Sequence, residues 1–159
     1  MLRPLPEERR QKAGRYMRER DKVLSAVSYL LFRKGMMEEY GINRELKWQT
    51  GRYGKPYLPD LPRIFFNISH CESCALCAVS DSEVGADVQD SRGISEDIAE
   101  TVCSAAELAM LREAPDKELM LRKIWALKEA YLKYIGVGLN HDLKQLDFFG
   151  ACRWIYPFQ

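Results

Sequence analysis

Two short stretches place oxygen and nitrogen groups where they could act on a charged substrate. In "VGADVQD", Asp87 and Gln89 stand two residues apart. On a strand that spacing turns both to one face and Val84, Ala86 and Val88 to the other, so the pair could hold a hard cation with its waters. Mg²⁺ takes one or two carboxylates and fills its octahedron with water and substrate phosphate. The alternative is a half-exposed antiparallel strand with its polar residues outward. In "KIWALKEAYLKYIGVGL", Trp125, Glu129 and Lys133 each lie about 40° from the next around a helix. Glu129 and Lys133 could be a carboxylate and an ammonium aimed at a substrate. As a solvated pair in the favoured Glu-before-Lys order they would contribute only a few tenths of a kcal/mol. That second reading leaves the tryptophan unexplained, and also the Gly-Val-Gly-Leu ending, where one glycine would suffice.

Other groups gather at chain ends and turns. "FNISH" brings Asn67, Ser69 and His70 together where a strand ends, and "GKP" holds Lys55 between Gly54, which permits close backbone approach, and Pro56, which fixes the chain. Cys71, Cys74 and Cys77 are spaced C-x-x-C-x-x-C, part of an iron–sulfur ligand run, but the usual fourth cysteine is missing and position 81 is Asp81. "CALCAVS" reads by default as a buried strand carrying small thiols. Five cysteines without a secretory pattern argue against a disulfide framework.

These groups must be positioned by a chain of 159 residues, 47% hydrophobic and 30% charged, an ordinary globular composition for one domain or two small lobes. No apolar run is long enough to span a bilayer and no signal-peptide pattern opens the chain, so a cytoplasmic location is expected. Net charge is +1, unevenly spread: residues 1–34 hold ten Lys/Arg against four acids, +6, which leaves −5 for the rest. A basic part joined to an acidic one suits an anionic ligand near the first, although a helix with a solvated basic face explains the charge as well. Nucleic acid is not expected as a partner, since no aromatic-interleaved basic surface accompanies these helices.

Periodicity predicts a helix from Glu8 to about Arg20 and a second with Val23, Val27, Leu30 and Leu31 on its buried face. "ELKWQT", "RIFFNIS", "CALCAVS" and "EVGADVQ" read as strands of a meander sheet, and "TGRYGKPYLPDLP" as loop. Two helical stretches follow. Ser95 is the expected N-cap of the first, and Ser104 with Glu107 has capping-box spacing for the second. Asp116 caps the long helix, which ends at Gly136, and "QLDFFG" with "CRWIYPF" reads as a strand or hairpin. The order is that of an α+β chain.

Taken together, Gly54-Lys55-Pro56, Phe66-Asn67-Ile68-Ser69-His70, Val84-Gly85-x-Asp87-Val88 and the set Trp125, Lys128, Glu129, Ala130, Lys133, Gly136, Gly138, Leu139 resemble the surfactin-type (Sfp-like) 4′-phosphopantetheinyl transferases. The resemblance runs from about residue 6 to residue 150. It implies an α+β, 4′-phosphopantetheinyl transferase-like fold of two lobes related by a pseudo-twofold. Residues 1–80 would form the N-terminal lobe on the coenzyme A side. Residues 81–159 would form a shortened C-terminal lobe with the metal-binding strand, the long helix and short final strands. It further implies Mg²⁺-dependent transfer of phosphopantetheine from coenzyme A to a serine of an acyl or peptidyl carrier protein, with release of 3′,5′-ADP. Such chemistry serves fatty acid, polyketide or nonribosomal peptide synthesis.

By the same resemblance Asp87 and Glu129 would be metal ligands, and Glu129 would also deprotonate the carrier serine. Lys133 would steady the pyrophosphate. Lys55, Ser69 and His70 would bind coenzyme A, joined by Arg9, Lys12 and Ser25 from the basic stretch. Gln89 stands where the family often has Glu, so it would touch the metal weakly or through water. Glu107 matches a third carboxylate near the metal, with its capping-box spacing an equally good structural reason. Ala86 replaces a branched apolar residue. Relatives commonly exceed 200 residues, so either this core suffices as a monomer, or a dimer covers the shortened lobe, or the chain is a non-catalytic binder of coenzyme A or carrier protein.

Overall fold

Alternation in "RIFFNISH" sends Phe66 to one face and Asn67 and Ser69 to the other, and that division organises the molecule. The computed structural model describes residues 5–90, 96–138 and 142–149. The elements are α1 (Glu7–Gly14), α2 (Glu19–Tyr40), β1 (Gln49–Thr50), β2 (Pro56–Tyr57), β3 (Phe65–His70), β4 (Ala75–Ser80), α3 (Ala99–Val102), α4 (Ala105–Glu113) and α5 (Lys117–Ile135). Short 3₁₀ turns precede α3 and follow α5, at Glu96–Ile98 and Leu143–Gln145. Helices beside small sheets make the chain α+β. None of the described helices is long and apolar enough to cross a membrane.

The apolar face of β3 meets α2. Phe66 stacks against Phe32 with ring centroids 4.4 Å apart and against Trp48 at 5.0 Å, while Phe32 and Trp48 meet edge-on at 5.0 Å. Burying rings of this size stabilises by about 1.5–3 kcal/mol each. The buried face of α2 is Leu24, Ala26, Tyr29, Phe32 and Met36, not the predicted Val23, Val27, Leu30 and Leu31; Val27 and Leu30 are exposed. Both stripes are apolar. The one bearing rings wins because Tyr29 and Phe32 reach the Trp48–Phe66 layer. A second hydrophobic cluster, centred on Val102, Leu121 and Ile124, joins α3, α4 and α5.

Several predicted ends are realised. Ser104 Oγ accepts from Glu107 N at 3.2 Å and Glu107 Oε2 from Ser104 N at 2.8 Å, a full capping box. Asp116 Oδ1 accepts from Leu119 N at 2.8 Å to start α5, and Gly136, at φ 70°, ends it. The first predicted helix stops early, at Gly14, a poor helix former, and α2 begins only at Glu19.

The sheet is smaller than expected. Among the described residues there are, instead of one meander, two antiparallel pairs, β1 with β2 and β3 with β4. Of "ELKWQT" only Gln49 and Thr50 are strand, although Leu46 is buried and Trp48 packs on the core as the alternation predicts. "EVGADVQ" is not a strand. It lies along β3, but side chains supply the bonds: Ala86 N donates to Asn67 Oδ1 at 3.1 Å and Val88 N to Ser69 Oγ at 3.4 Å. Both chains advance by two residues between these contacts, so the segment runs parallel to β3. Residues 146–149 are not strand either. Ser95 and the end of the expected tail hairpin lie outside the described residues.

Candidate active site

Residues 83–88 are pressed against α5, and Gly85 is the reason they can be. A Cβ there would stand 2.0 Å from the Ala130 carbonyl oxygen and 2.4 Å from Tyr134 N. The glycine thereby brings Asp87 beside the helix that carries Glu129 and Lys133. Lys133 Nζ pairs with Asp87 Oδ1 and lies 3.0 Å from Ser69 Oγ. Ser69 Oγ donates to Asp87 Oδ1 at 2.7 Å, and Gln89 Nε2 donates to Asp87 Oδ2 at 2.6 Å. The predicted Asp87–Gln89 pair thus meets side chain to side chain. The Asp87 side chain is 3% exposed, so its charge is held by three donors inside the protein.

Glu129 sits one turn from Lys133 and is less well served. Its Oε1 is buried with no hydrogen-bond partner. Burial raises its pKa above the ordinary carboxylate value; Lys133 pulls it down and Asp87 pushes it up. Trp125, on the same stripe, turns instead to the C-terminal hydrophobic cluster. Gly136 and Gly138 have φ of 70° and 65°, so both glycines of the Gly-x-Gly ending take the left-handed backbone that a side chain would oppose.

Several cavities open beside this cluster, and two of them carry most of the residues expected to bind a ligand. One, of about 250 Å³, is lined by Glu129, Lys133, Lys55, Asn67, Gly136 and Gly138. The other, of about 210 Å³, is lined by Arg9, Tyr16, Ser25, Tyr29, Trp48 and His70. Gly54, Pro56 and Ile68 belong to both walls, so the two are neighbours. The Arg9 guanidinium lies 3.3 Å from the centre of the Trp48 ring and 5.4 Å from that of Tyr29. This stacking fixes a cation at the cavity wall.

The residues expected to bind coenzyme A therefore divide. Arg9, Ser25 and His70 share one cavity and Lys55 and Lys133 the other. The Ser69 hydroxyl is taken up by the Asp87–Lys133 cluster. The Lys12 side chain lies outside the described residues. Lys55 Nζ pairs with Glu83 and donates to the Tyr134 carbonyl at 2.5 Å, which fastens the 54–56 loop to the C-terminal end of α5. No sequence signal singled out Glu83.

Glu107 is placed elsewhere. It is fully buried against Lys128, 2.5 Å away, with Oε2 in the capping box and Oε1 accepting from Phe148 N at 3.4 Å. Lys128 also donates to the carbonyls of Val102 (2.7 Å) and Leu143 (2.8 Å), so the pair ties α3, α4, α5 and the last turn together. A lysine on an amphipathic helix reads as solvated, and only its place in the Trp-x-x-Lys-Glu motif hinted otherwise. Among the described residues no three His, Cys, Asp or Glu side chains gather as a metal site, so Glu107 does not join Asp87 and Glu129 as a third carboxylate. Nor do Cys71, Cys74 and Cys77. Cys77 packs on the core, whereas Cys71 and Cys74 occupy the β3–β4 turn and are not the buried strand thiols expected.

Two carboxylates, an ammonium and a cation at a cavity wall are an arrangement that can receive an anionic ligand. Sequence comparison narrows it. Residues 1–82 match the family described as "4′-phosphopantetheinyl transferase, N-terminal", and residues 83–154 match the 4′-phosphopantetheinyl transferase superfamily. The chain belongs to this superfamily. It is 30% identical over 139 residues to 4′-phosphopantetheinyl transferase Sfp of Bacillus subtilis, covering 86% of this chain and 62% of that one. It is 32% identical over 135 residues to 4′-phosphopantetheinyl transferase gsp of Aneurinibacillus migulanus (83% and 56%). It is also 33% identical over 169 residues to L-aminoadipate-semialdehyde dehydrogenase-phosphopantetheinyl transferase of Xenopus laevis (90% and 53%). The chain thus spans less than two thirds of the length of these relatives.

Proposed function

We propose that this chain transfers 4′-phosphopantetheine from coenzyme A to a serine hydroxyl of an acyl or peptidyl carrier protein, with Mg²⁺, releasing 3′,5′-ADP. The observation that carries this reading is the adjacency of the two cavities: an arginine, a serine and a histidine at one, and Glu129 with Lys133 at the other. A nucleotide with a 3′-phosphate and a pyrophosphate needs cationic and hydroxyl contacts at one end and charge neutralisation at the reacting bond.

The residues fit a Mg²⁺ ion. Glu129 would hold it through Oε1, which is buried and unpartnered; Asp87 would join on releasing Lys133, and Gln89 offers an amide oxygen or a place for water. When bound, the ion neutralises phosphate oxygens. Arg9, Ser25 and His70 hold the nucleotide end, with Lys12 as a further cation. Ser69 and Lys55 position rather than bind: Ser69 orients Asp87 and Lys133, and Lys55 fixes the loop wall. Glu129 takes the proton from the carrier serine, directly or through water. The serine oxygen then bonds to the β-phosphorus as the bond to 3′,5′-ADP breaks, and Lys133 offsets the charge that gathers on the leaving oxygen.

Incubating the protein with coenzyme A, Mg²⁺ and a panel of apo carrier proteins tests this directly. Mass spectrometry should find one phosphopantetheine added to at least one carrier, and modification of none overturns the transfer reading. Calorimetric binding of coenzyme A without turnover would support a non-catalytic binder instead.

A further inference from the structure

The β3–β4 turn carries a pair of thiols that the proposed transfer does not use. His70 and Ala75 form the last pair of the hairpin, and Cys71 N donates to the Cys74 carbonyl at 3.0 Å beyond it. Cys71 and Cys74 therefore face each other across a two-residue turn, Glu72–Ser73. Residues paired in this way have Cα atoms about 5.5 Å apart, within the range a disulfide spans, about 4.4–6.8 Å. Their sulfurs lie 3.3 Å from each other. Cys74 is exposed and Cys71 half-exposed. Arg20, in the first turn of α2, pairs with Glu72 at 3.2 Å and steadies the turn.

We propose that Cys71 and Cys74 form a thiol–disulfide exchange site that reacts with low-molecular-weight disulfides. The Cys71 thiolate attacks one sulfur of the small disulfide, forming a mixed disulfide and releasing one small thiolate. Cys74 then attacks the Cys71 sulfur, closing the Cys71–Cys74 bond and releasing the second. The two protons of the cysteines pass to the two released thiolates, so protein dithiol and small disulfide become protein disulfide and two small thiols. The reverse reaction restores the dithiol.

The surroundings assign the roles. Burial pushes the Cys71 thiol up, but hydrogen bonds with Ser73 and Cys74 outweigh it and hold Cys71 below the ordinary thiol value. The hydrogen bond to Cys71, then burial, raises Cys74, which suits the resolving thiol. Cys77, packed into the core, is pushed up by burial to about 11 and serves as an internal control.

The test equilibrates the full chain with glutathione and glutathione disulfide at graded ratios, then quenches with acid, alkylates and maps the tryptic peptide of residues 64–92, which holds all three cysteines. At oxidising ratios the peptide should lose two hydrogens, with Cys77 alone alkylated, and excess dithiol should reverse this. Cys77→Ser should still close the bond. Cys74→Ser should stop at a glutathione adduct on Cys71. In the reduced protein Cys71 should alkylate at least about a hundredfold faster than Cys77 at neutral pH, since the thiolate reacts. A peptide that stays reduced at the most oxidising ratio overturns the proposal. So does a bond lost in Cys77→Ser but kept in Cys74→Ser, or stoichiometric zinc on the pair that blocks oxidation.

Discussion

Lys133 reaches from α5 to Asp87, and Ser69 bonds to both, so one ammonium and one hydroxyl fasten the 83–88 segment to a helix and a strand at once. The pair is unequally exposed, Asp87 at 3% and Lys133 at 28%. Replacing Lys133 by Met leaves a buried carboxylate without its counter-ion. We expect a loss of about 2–3 kcal/mol in urea unfolding at neutral pH, below the full range for buried pairs because solvent still reaches the lysine side. Asp87→Asn removes the buried charge and keeps one oxygen to accept from Ser69, while its amide nitrogen meets the Gln89 donor; it should cost less than Lys133→Met. Equal losses would mean that the charge contributes nothing.

The Glu107–Lys128 pair is fully buried on both sides. Glu107→Ala should destabilise by about 3–5 kcal/mol, since it leaves Lys128 with only two carbonyls and opens the cap of α4. Glu107→Leu combined with Lys128→Met should cost much less than the two single losses added. Additive losses, read from unfolding midpoints, would contradict a coupled pair.

Much of this frame is written locally in the sequence. Ser104–Glu107, Asp116 and Gly136 mark helix ends because caps depend on neighbours within one turn. Glu129–Lys133 is legible for the same reason. The parallel course of residues 83–89 beside β3 is not, because Asn67 and Ser69 look like any outward polar residues of a strand. Only the three-dimensional partner reveals that they stand in for backbone bonds. The burial of Lys128 is hidden likewise: its acceptors, Val102 and Leu143, lie 26 and 15 residues away. On α2 two apolar stripes compete, and the choice depends on Trp48 and Phe66 in other elements.

Gly85 admits no side chain. A methyl group there would overlap backbone atoms of Ala130 and Tyr134, which cannot swing aside. Gly85→Ala should cost at least about 2 kcal/mol and weaken protection of the Ala86 and Val88 amides in hydrogen exchange. Wild-type stability and exchange in this variant would mean that the segment does not pack so closely on α5.

Glu129 gives a pH-dependent signature. Its folded pKa is raised by burial, so the folded protein holds this proton more tightly than the unfolded chain. The stability it contributes is full below the ordinary carboxylate pKa and is lost as pH rises through the raised value. Glu129→Gln, without Mg²⁺, should therefore be more stable than wild type at pH 7, by up to about 1 kcal/mol, with the gain fading toward pH 4. A gain that grows on acidification would reverse the assigned cause.

The central claim is that Glu129 and Asp87 serve phosphopantetheine transfer. Its most direct test is the intact mass of one carrier protein after incubation with coenzyme A, Mg²⁺ and either wild-type protein or a folded Glu129→Ala variant. The expected result is full conversion of the carrier by wild type and a rate lowered by at least about a hundredfold in the variant. A Glu129→Ala protein that converts the carrier as fast as wild type would contradict it.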